Sequence, residues 1–330
     1  MIHPGKHTEP MQKDLQEFCE TVVYRRFSRW PRVGDADVAE FLARELSGYR
    51  DANRLLEISD NGRVVAVLAF RELDYDTRHY GFACLGIDYL LYDHSLDTDN
   101  AILVIHRLLD RFRQDCRANG TAFVSVSIDS GDGLANAALQ KHGFRSILTW
   151  IDGFFTRHEK YTDCKRNEQF GLIRPEEMEF FKTVAAQSYF TGGRFYLDGN
   201  FDRDRVNQMY SSLVESSYDN GDILLVYRIN DRPAGLYIYK KIEKYPAPNN
   251  LSVAAGRFLV VDPNLRGKNI GHDLFVQTLL YFRDKCDLIT TGLEVHNLPS
   301  LNLHTKLGFV FNYTHNVYHW WAGEQNPGAK

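Results

Sequence analysis

Apolar and polar positions along this chain fall into one series of patterns that is written twice. Residues 54–72 read as an apolar run around Leu55–Ile58, a polar Ser59-Asp-Asn-Gly62, and a second apolar run from Val64 to Phe70. Two such runs joined by Asn61-Gly62 predict a β-hairpin, because Asn and Gly accept the positive φ of a tight turn. Residues 222–242 repeat the pattern, with runs at 223–229 and 235–239 around Asn230-Asp-Arg-Pro233. Helical periodicity precedes each hairpin, around residues 11–48 and 176–216. The elements after each hairpin also match. The first half continues with a strand at 83–91, a helix at 100–117, a strand at 122–128 and a short helix ending in Lys141-His-Gly-Phe144. Ile102, Ile105, Leu109 and Phe112 share one face of the long helix. The second half gives a strand at 256–261, a helix at 271–284, a strand at 288–295 and a short helix ending in Lys306-Leu-Gly-Phe309.

Two copies of a mixed α/β unit therefore account for nearly the whole chain, although any α/β chain yields some such matches. The charged stretch 157–169 carries little apolar periodicity, which sets the expected domains at 1–157 and 158–330.

Composition narrows the function classes. At 330 residues the chain exceeds one ordinary domain, and 44% hydrophobic with 25% charged residues is globular. A net charge of −4 gives no footprint for nucleic acid or an anionic membrane. The five cysteines are scattered without a Cys-x-x-Cys pair, which suits a reducing compartment and offers no zinc framework. No apolar run approaches the roughly 20 residues of a membrane span, and the polar residues 1–13 are no signal peptide. A soluble cytoplasmic protein is expected. His315 and His319 have helical metal spacing but lie in a strand-like run, so no metal is expected.

The two copies differ between their third strand and long helix. The second copy has Val261-Asp-Pro-Asn-Leu-Arg-Gly-Lys-Asn-Ile-Gly271 there. A glycine-containing loop that opens a helix presents unpaired backbone N–H groups and the positive helix end to a phosphate, and Arg266 and Lys268 add charge. A solvated turn before a helix is the competing reading. The first copy has Tyr92-Asp-His-Ser-Leu-Asp-Thr-Asp99, with three aspartates, no glycine and no Arg or Lys. That loop repels a pyrophosphate.

Arg266-Gly-Lys-Asn-Ile-Gly271, followed one strand later by Asn297-Leu-Pro-Ser300-Leu-Asn-Leu-His304-Thr-Lys-Leu-Gly-Phe309, resembles the GNAT (GCN5-related N-acetyltransferase) superfamily. Asn269 stands where the family has glycine, a mild departure because Asn tolerates left-handed φ. The resemblance implies two tandem GNAT-like mixed-sheet units; the first, from its acidic loop, is expected to be degenerate and to serve as a structural wall of the acceptor cleft. More narrowly, the segments 185–216 and 74–82 are similar to bacterial dTDP-fucosamine acetyltransferases of surface-polysaccharide synthesis. That likeness implies a small-molecule amine acceptor, a nucleotide-linked amino sugar.

The family's acetyl-CoA, or a similar short acyl-CoA, would then lie on Arg266, Gly267, Lys268, Asn269, Ile270 and Gly271. Its pantetheine arm would pair with Phe258, Leu259, Val260 and Val261, where a backbone N–H stabilises the oxyanion. Asn297 would satisfy pantetheine polar groups, and Asn302 faces the same cofactor. The family's acid is a tyrosine in the short helix, and this chain has His304 there. Neutral histidine can protonate a thiolate, and a helix histidine with no catalytic part reads nearly as well. The strand 256–261 carries no carboxylate, so Glu294 and His296 on the next strand are the candidate bases, against a strand end pointing at solvent. Tyr313 and Tyr318 are further proton-transfer candidates, or packing. Arg194, Tyr196 and Arg203 are expected at the acceptor, where arginine forks suit a diphosphate and a tyrosine stacks on a base or sugar. Capping of the following helix explains them equally.

Two other functions stay open: the same chemistry on an amino acid, polyamine, antibiotic or protein amine, and a non-catalytic acyl-CoA-binding protein. Monomer and dimer both remain open.

Overall fold

The computed structural model describes residues 10–156, 161, 164–188 and 190–323. The expected boundary at 157, residues 1–9 and Tyr189 lie outside them. The first half holds α1 (Pro10–Thr21), α2 (Asp35–Asp51), β1 (Leu55–Asp60), β2 (Arg63–Glu72), α3 (Asp74–Tyr80), β3 (Cys84–Tyr92), α4 (Thr98–Ala118), β4 (Phe123–Asp129), α5 (Gly133–Lys141) and β5 (Arg145–Phe155). The second holds β6 (Phe170–Leu172), α6 (Met178–Gln187), α7 (Arg194–Leu197), α8 (Arg203–Asp219), β7 (Ile223–Ile229), β8 (Arg232–Lys240) and β9 (Val253–Val261). It continues through α9 (Ile270–Phe282), β10 (Leu288–Glu294), α10 (Leu298–Leu307) and β11 (Val310–Trp321). Both hairpin turns take the positive φ that their residues predict: 48° and 79° at Asn61 and Gly62, 50° and 61° at Asn230 and Asp231.

Two compact units result, Met1–Thr149 with Thr314–Lys330, and Trp150–Tyr313. In the first unit the sheet order is β1-β2-β3-β4-β11. Residues 315–321 of β11, chain that a cut at 157 assigns to the second domain, pair antiparallel with β4. One face of this sheet packs on α1 and α2 through Leu15, Phe18, Leu42 and Leu46. The other packs on α4 and α5 through Ile105, Leu109, Phe112 and Leu139.

The second unit has the order β5-β10-β9-β8-β7-β6. Its sheet is closed by residues 150–155 of β5, antiparallel to β10. Phe181, Val184 and Val214 of α6 and α8 cover one face. Leu274, Phe275 and Leu279 of α9, with Leu307 of α10, cover the other. Just before α6, Glu177 accepts from Nε and Nη2 of Arg228 on β7 at 2.6 and 2.7 Å, an ion pair with both side chains about 5% exposed.

The repeat extends to irregularities. In the first unit the β2–β3 register skips Asp88 between Ile87 and Tyr89. In the second the β8–β9 register skips Arg257 between Gly256 and Phe258. Each is a β-bulge in the strand after the hairpin, which bends that strand away from its parallel neighbour.

Candidate functional site

The bulge opens a wedge in the second sheet. Parallel pairing of β9 with β10 is confined to three registers, Val253 with Leu288 through Ala255 with Thr290. Beyond Ala255, β9 stays with β8 and β10 stays with β5. The edge of Phe258, Leu259, Val260 and Val261 that faces β10 therefore has no strand to pair with, a template for one extended, amide-bearing chain. Their side chains serve the two cores: Phe258 and Val260 pack toward α6 and α8, and Leu259 toward α9.

At the mouth of the wedge, the loop to α9 turns through two left-handed residues into a helix start without a side-chain cap. Gly267 and Asn269 both take left-handed φ, 78° and 62°. Asn269 is the N-cap of α9 yet provides no side-chain cap, which leaves the first N–H groups of the helix to an external acceptor. Arg266, Gly267, Lys268 and Asn269 are exposed, whereas Ile270 is buried and anchors the turn. Arg266 Nη2 donates to Ser188 Oγ at 3.3 Å, which holds the guanidinium beside the end of α6. Gly271 faces Leu303 of α10, whose Cδ2 lies 3.9 Å from the position of a Cβ.

The equivalent parts of the first unit are closed. Asp97 caps α4 by accepting from Asn100 N at 2.9 Å, so the chain's own carboxylate sits at the helix start. Asp93 is buried and paired with Arg63 at 2.6 Å. Between β4 and β11, Asn136 receives hydrogen bonds from Asn316 and Tyr318 at 2.9 and 2.8 Å. Tyr318 is thereby a core residue of the first unit, 1% exposed.

On the α6–α8 side of the second sheet, separate sequence segments converge. Tyr210 of α8 stacks on Phe258 with ring centroids 5.8 Å apart at 25°, and Phe190 fills in against both. A Cβ on Gly193 would lie 2.7 Å from the Tyr210 hydroxyl, and one on Gly192 would lie 2.8 Å from His296 Nε2. These two glycines let the chain pass between Tyr210 and the end of β10. Burial first, and then the Glu294 carboxylate, push the Tyr210 phenol up to about 12, so it is protonated at neutral pH; Arg194 acts in the opposite direction. Glu294, His296, Arg194 and Tyr210 thus share one locality. Tyr196 and Arg203 brace each other instead: the guanidinium lies 4.8 Å over the Tyr196 ring and donates to the Tyr196 carbonyl. The Tyr196 hydroxyl donates to Asn207 at 2.9 Å. The cap of α8 is Asp202, which accepts from Arg205 N at 2.9 Å.

His304 occupies a different place from the one its motif position suggests. It is 3% exposed and lies on the α9–α10 side, edge-on to Phe275 and Phe309. Its Nδ1 is 2.7 Å from the Ser300 carbonyl, which can only accept, so Nδ1 carries the proton. Nε2 lies 3.0 Å from Thr291 Oγ1 and accepts from that hydroxyl. Burial lowers its pKa to about 4. A neutral imidazole with both nitrogens engaged has no proton to give a thiolate, and the expectation of His304 as the acid is corrected on that ground. Asn297 caps α10, accepting from Ser300 N at 3.3 Å, and Asn302 is exposed on the same helix.

Tyr210 is the residue that sequence reasoning passed over. Its signal lay in the Gly192-Gly193 pair, but a contact 17 positions along the chain is invisible until α8 folds back. Among the described residues no group of three His, Cys, Asp or Glu side chains could hold a metal, and no helix is long and apolar enough to cross a membrane.

Comparisons with known proteins agree with this fold. The sequence profile of the acetyltransferase (GNAT) family matches residues 191–309, inside the second unit and spanning the wedge and the loop. The chain is 19% identical over 272 residues to the spore coat polysaccharide biosynthesis protein SpsD of Bacillus subtilis (strain 168), covering 82% of this chain and 89% of SpsD. A tandem GNAT protein from the clavulanic acid biosynthesis pathway superposes with a TM-score of 0.55 at 16% identity, over 97% of each chain. A GCN5-related N-acetyltransferase from Sphaerobacter thermophilus gives 0.56 at 13% identity, over 87% of each. Fold and family match together define an acyltransferase that draws its acyl group from acyl-CoA. Residues 191–309 of the second unit match the acetyltransferase (GNAT) family, and the chain as a whole has the fold of a tandem GNAT protein.

Proposed function

We propose that the protein transfers an acetyl or other short acyl group from acyl-CoA to the primary amine of an amino sugar, one linked to a nucleotide and destined for a surface polysaccharide. The observation that carries the reading is the convergence of Glu294, His296, Tyr210 and Arg194 on one side of the β9–β10 wedge. The relative's role in spore coat polysaccharide biosynthesis supports the sugar acceptor.

Acyl-CoA supplies the activated thioester and a thiol leaving group. The uncapped start of α9 with Arg266 and Lys268 would hold the pyrophosphate, and the free edge 258–261 would align the pantetheine amides. Arg257 is skipped by the β8 register, and a backbone N–H at this bulge would stabilise negative charge on the thioester oxygen. Glu294, directly or through water, takes the proton that makes the amine nucleophilic, and His296 beside it is the second base. The amine nitrogen bonds to the carbonyl carbon and gives up its second proton to His296, the C–S bond breaks, and Tyr210 gives its proton to the departing sulfur and regains one from solvent as His296 releases its own. Arg194 is the group suited to an anionic part of the acceptor.

The test is thiol release from acetyl-CoA with amino-sugar nucleotides, lysine and spermidine as acceptors. Amine-dependent release with a sugar preferred supports the proposal. Release with lysine or spermidine alone moves the acceptor class, and no release with any amine leaves only the binding reading.

A further inference from the structure

We infer that Trp150 and Asp152 of β5 are acceptor-binding residues, forming with Glu294 a platform for an amino-bearing pyranose ring. The inference rests on the acyltransfer reading above and goes further by assigning the side chains that would recognise the acceptor.

Strand register places them. Trp150 is the cross-strand partner of Glu294, and Asp152 that of Gly292. Side chains on paired strands alternate together, so 150, 152, 292 and 294 address the same face of the sheet. Glu294 acts on Tyr210, which identifies this as the α6–α8 face where the candidate bases gather. The opposite face takes Thr291 with His304, and Phe311 under Gly153.

Gly292 shows what these side chains do. A Cβ there would collide with Trp150 Nε1 and would stand 2.8 Å from Asp152 Oδ1. Both side chains therefore lean inward over the bare backbone of β10 instead of standing clear of the strand. Glycine inside a strand weakens it, and such a position marks a close approach by another group. Here the approaching groups are an indole and a carboxylate.

The chemistry of that surface selects one kind of ligand. An indole offers an extended apolar face with a polar N–H at its edge, which suits the C–H face of a sugar ring. Asp152 accepts hydrogen bonds from ring hydroxyls. Glu294 on the same face meets the ammonium group that must lose its proton. A flexible polyamine would use the carboxylates and leave the indole without a role. Both β5 residues precede the family-matched segment 191–309, so this part of acceptor recognition is written in the first copy of the repeat.

The experiment uses the full-length protein and the thiol-release assay, with glucosamine 1-phosphate, a 4-amino-4,6-dideoxyhexose nucleotide, lysine and spermidine as probes. Asp152→Asn and Trp150→Ala are expected to raise the KM for the best sugar about tenfold, the effect of one or two lost hydrogen bonds or a lost stacking face. Their acetyl-CoA affinity by calorimetry is expected to match wild type, and Trp150→Phe to recover most of the lost affinity. Unchanged KM in Asp152→Asn and in Trp150→Ala overturns the inference while acyl transfer stands. Preference of the wild type for lysine or spermidine over both sugars overturns it as well. No turnover of any probe by the wild type overturns the acyltransfer reading and takes the platform with it. Asp152→Asn, which is isosteric, keeps the test decisive where Trp150→Ala fails to fold.

Discussion

The Ser300 carbonyl oxygen lies 2.7 Å from Nδ1 of His304, a bond that fixes the tautomer and turns the motif's most reactive-looking side chain into a structural one. Through Thr291 the imidazole ties α10 to β10 beside the wedge. Its pKa is about 4 in the folded chain against an ordinary 6.5. The unfolded chain therefore takes the proton first as pH falls. The contribution of His304 is complete above pH 6.5 and is lost progressively toward pH 4, up to about 3 kcal/mol. His315 is depressed to about 4 as well and acts in the same direction. Thermal melting at pH 7 and pH 4.5 should show a large loss for wild type and a smaller one for His304→Gln. Equal losses would remove His304 from the acid response.

Acetyl-CoA binding tests the loop. Calorimetry should find one site per chain. A tyrosine at Gly271 meets Leu303 across a gap that now leaves 3.9 Å to a Cβ, and should abolish binding. Arg266→Glu puts a negative charge beside the uncapped start of α9 and should weaken binding by about tenfold, ~1.4 kcal/mol. Undiminished affinity in Gly271→Tyr would relocate the site.

Proton transfer is expected to divide between Glu294 and Tyr210. Glu294→Gln should lower kcat by about 10²–10³ with acetyl-CoA affinity unchanged. Tyr210→Phe should lower kcat by about 10². Because the phenol is pushed up from 10.0 to about 12, wild-type activity should hold through pH 9 and fall only above pH 10. A wild-type decline between pH 8 and 9 that Tyr210→Phe leaves in place would assign it to another group.

Gly193 tests the same hydroxyl from the other side. Its added methyl would lie 2.7 Å from Tyr210 Oη and 3.2 Å from the Phe190 carbonyl. Gly193→Ala should thus displace Tyr210 and lower kcat while the loop 266–271 still binds acetyl-CoA. Full activity in this variant would argue against Tyr210.

The Glu177–Arg228 pair is a stability test remote from the chemistry. Arg228→Met leaves a buried carboxylate without its partner and should cost about 3–5 kcal/mol in denaturant unfolding. The double variant Glu177→Leu/Arg228→Met should recover much of that loss. A single variant as stable as wild type would mean that water reaches Glu177.

The repeat, both hairpin turns and the left-handed turn into α9 were legible because each is local. Asn61-Gly62 and Arg266–Gly271 carry their φ preferences and their charge in adjacent residues, and the first copy's Asp97 advertised its closed loop by its own carboxylate. The assignment of His304 failed for the opposite reason. Motif position fixes where a residue sits on α10 but not which core it enters, and the ring's burial against Phe275 and Phe309 comes from elements far away in sequence.

Period and turn chemistry in the sequence thus determined two mixed α/β units, their order of elements and the contrast between their loops. Only the tertiary structure decided that β5 closes the second sheet and β11 the first, because strand pairing is settled by which edges remain open after each unit collapses. The same step decided that Tyr210 meets Phe258 and that Trp150 and Asp152 lie over Gly292. Those contacts join residues between 48 and about 140 positions apart, separations at which side-chain chemistry carries no record of its eventual neighbour.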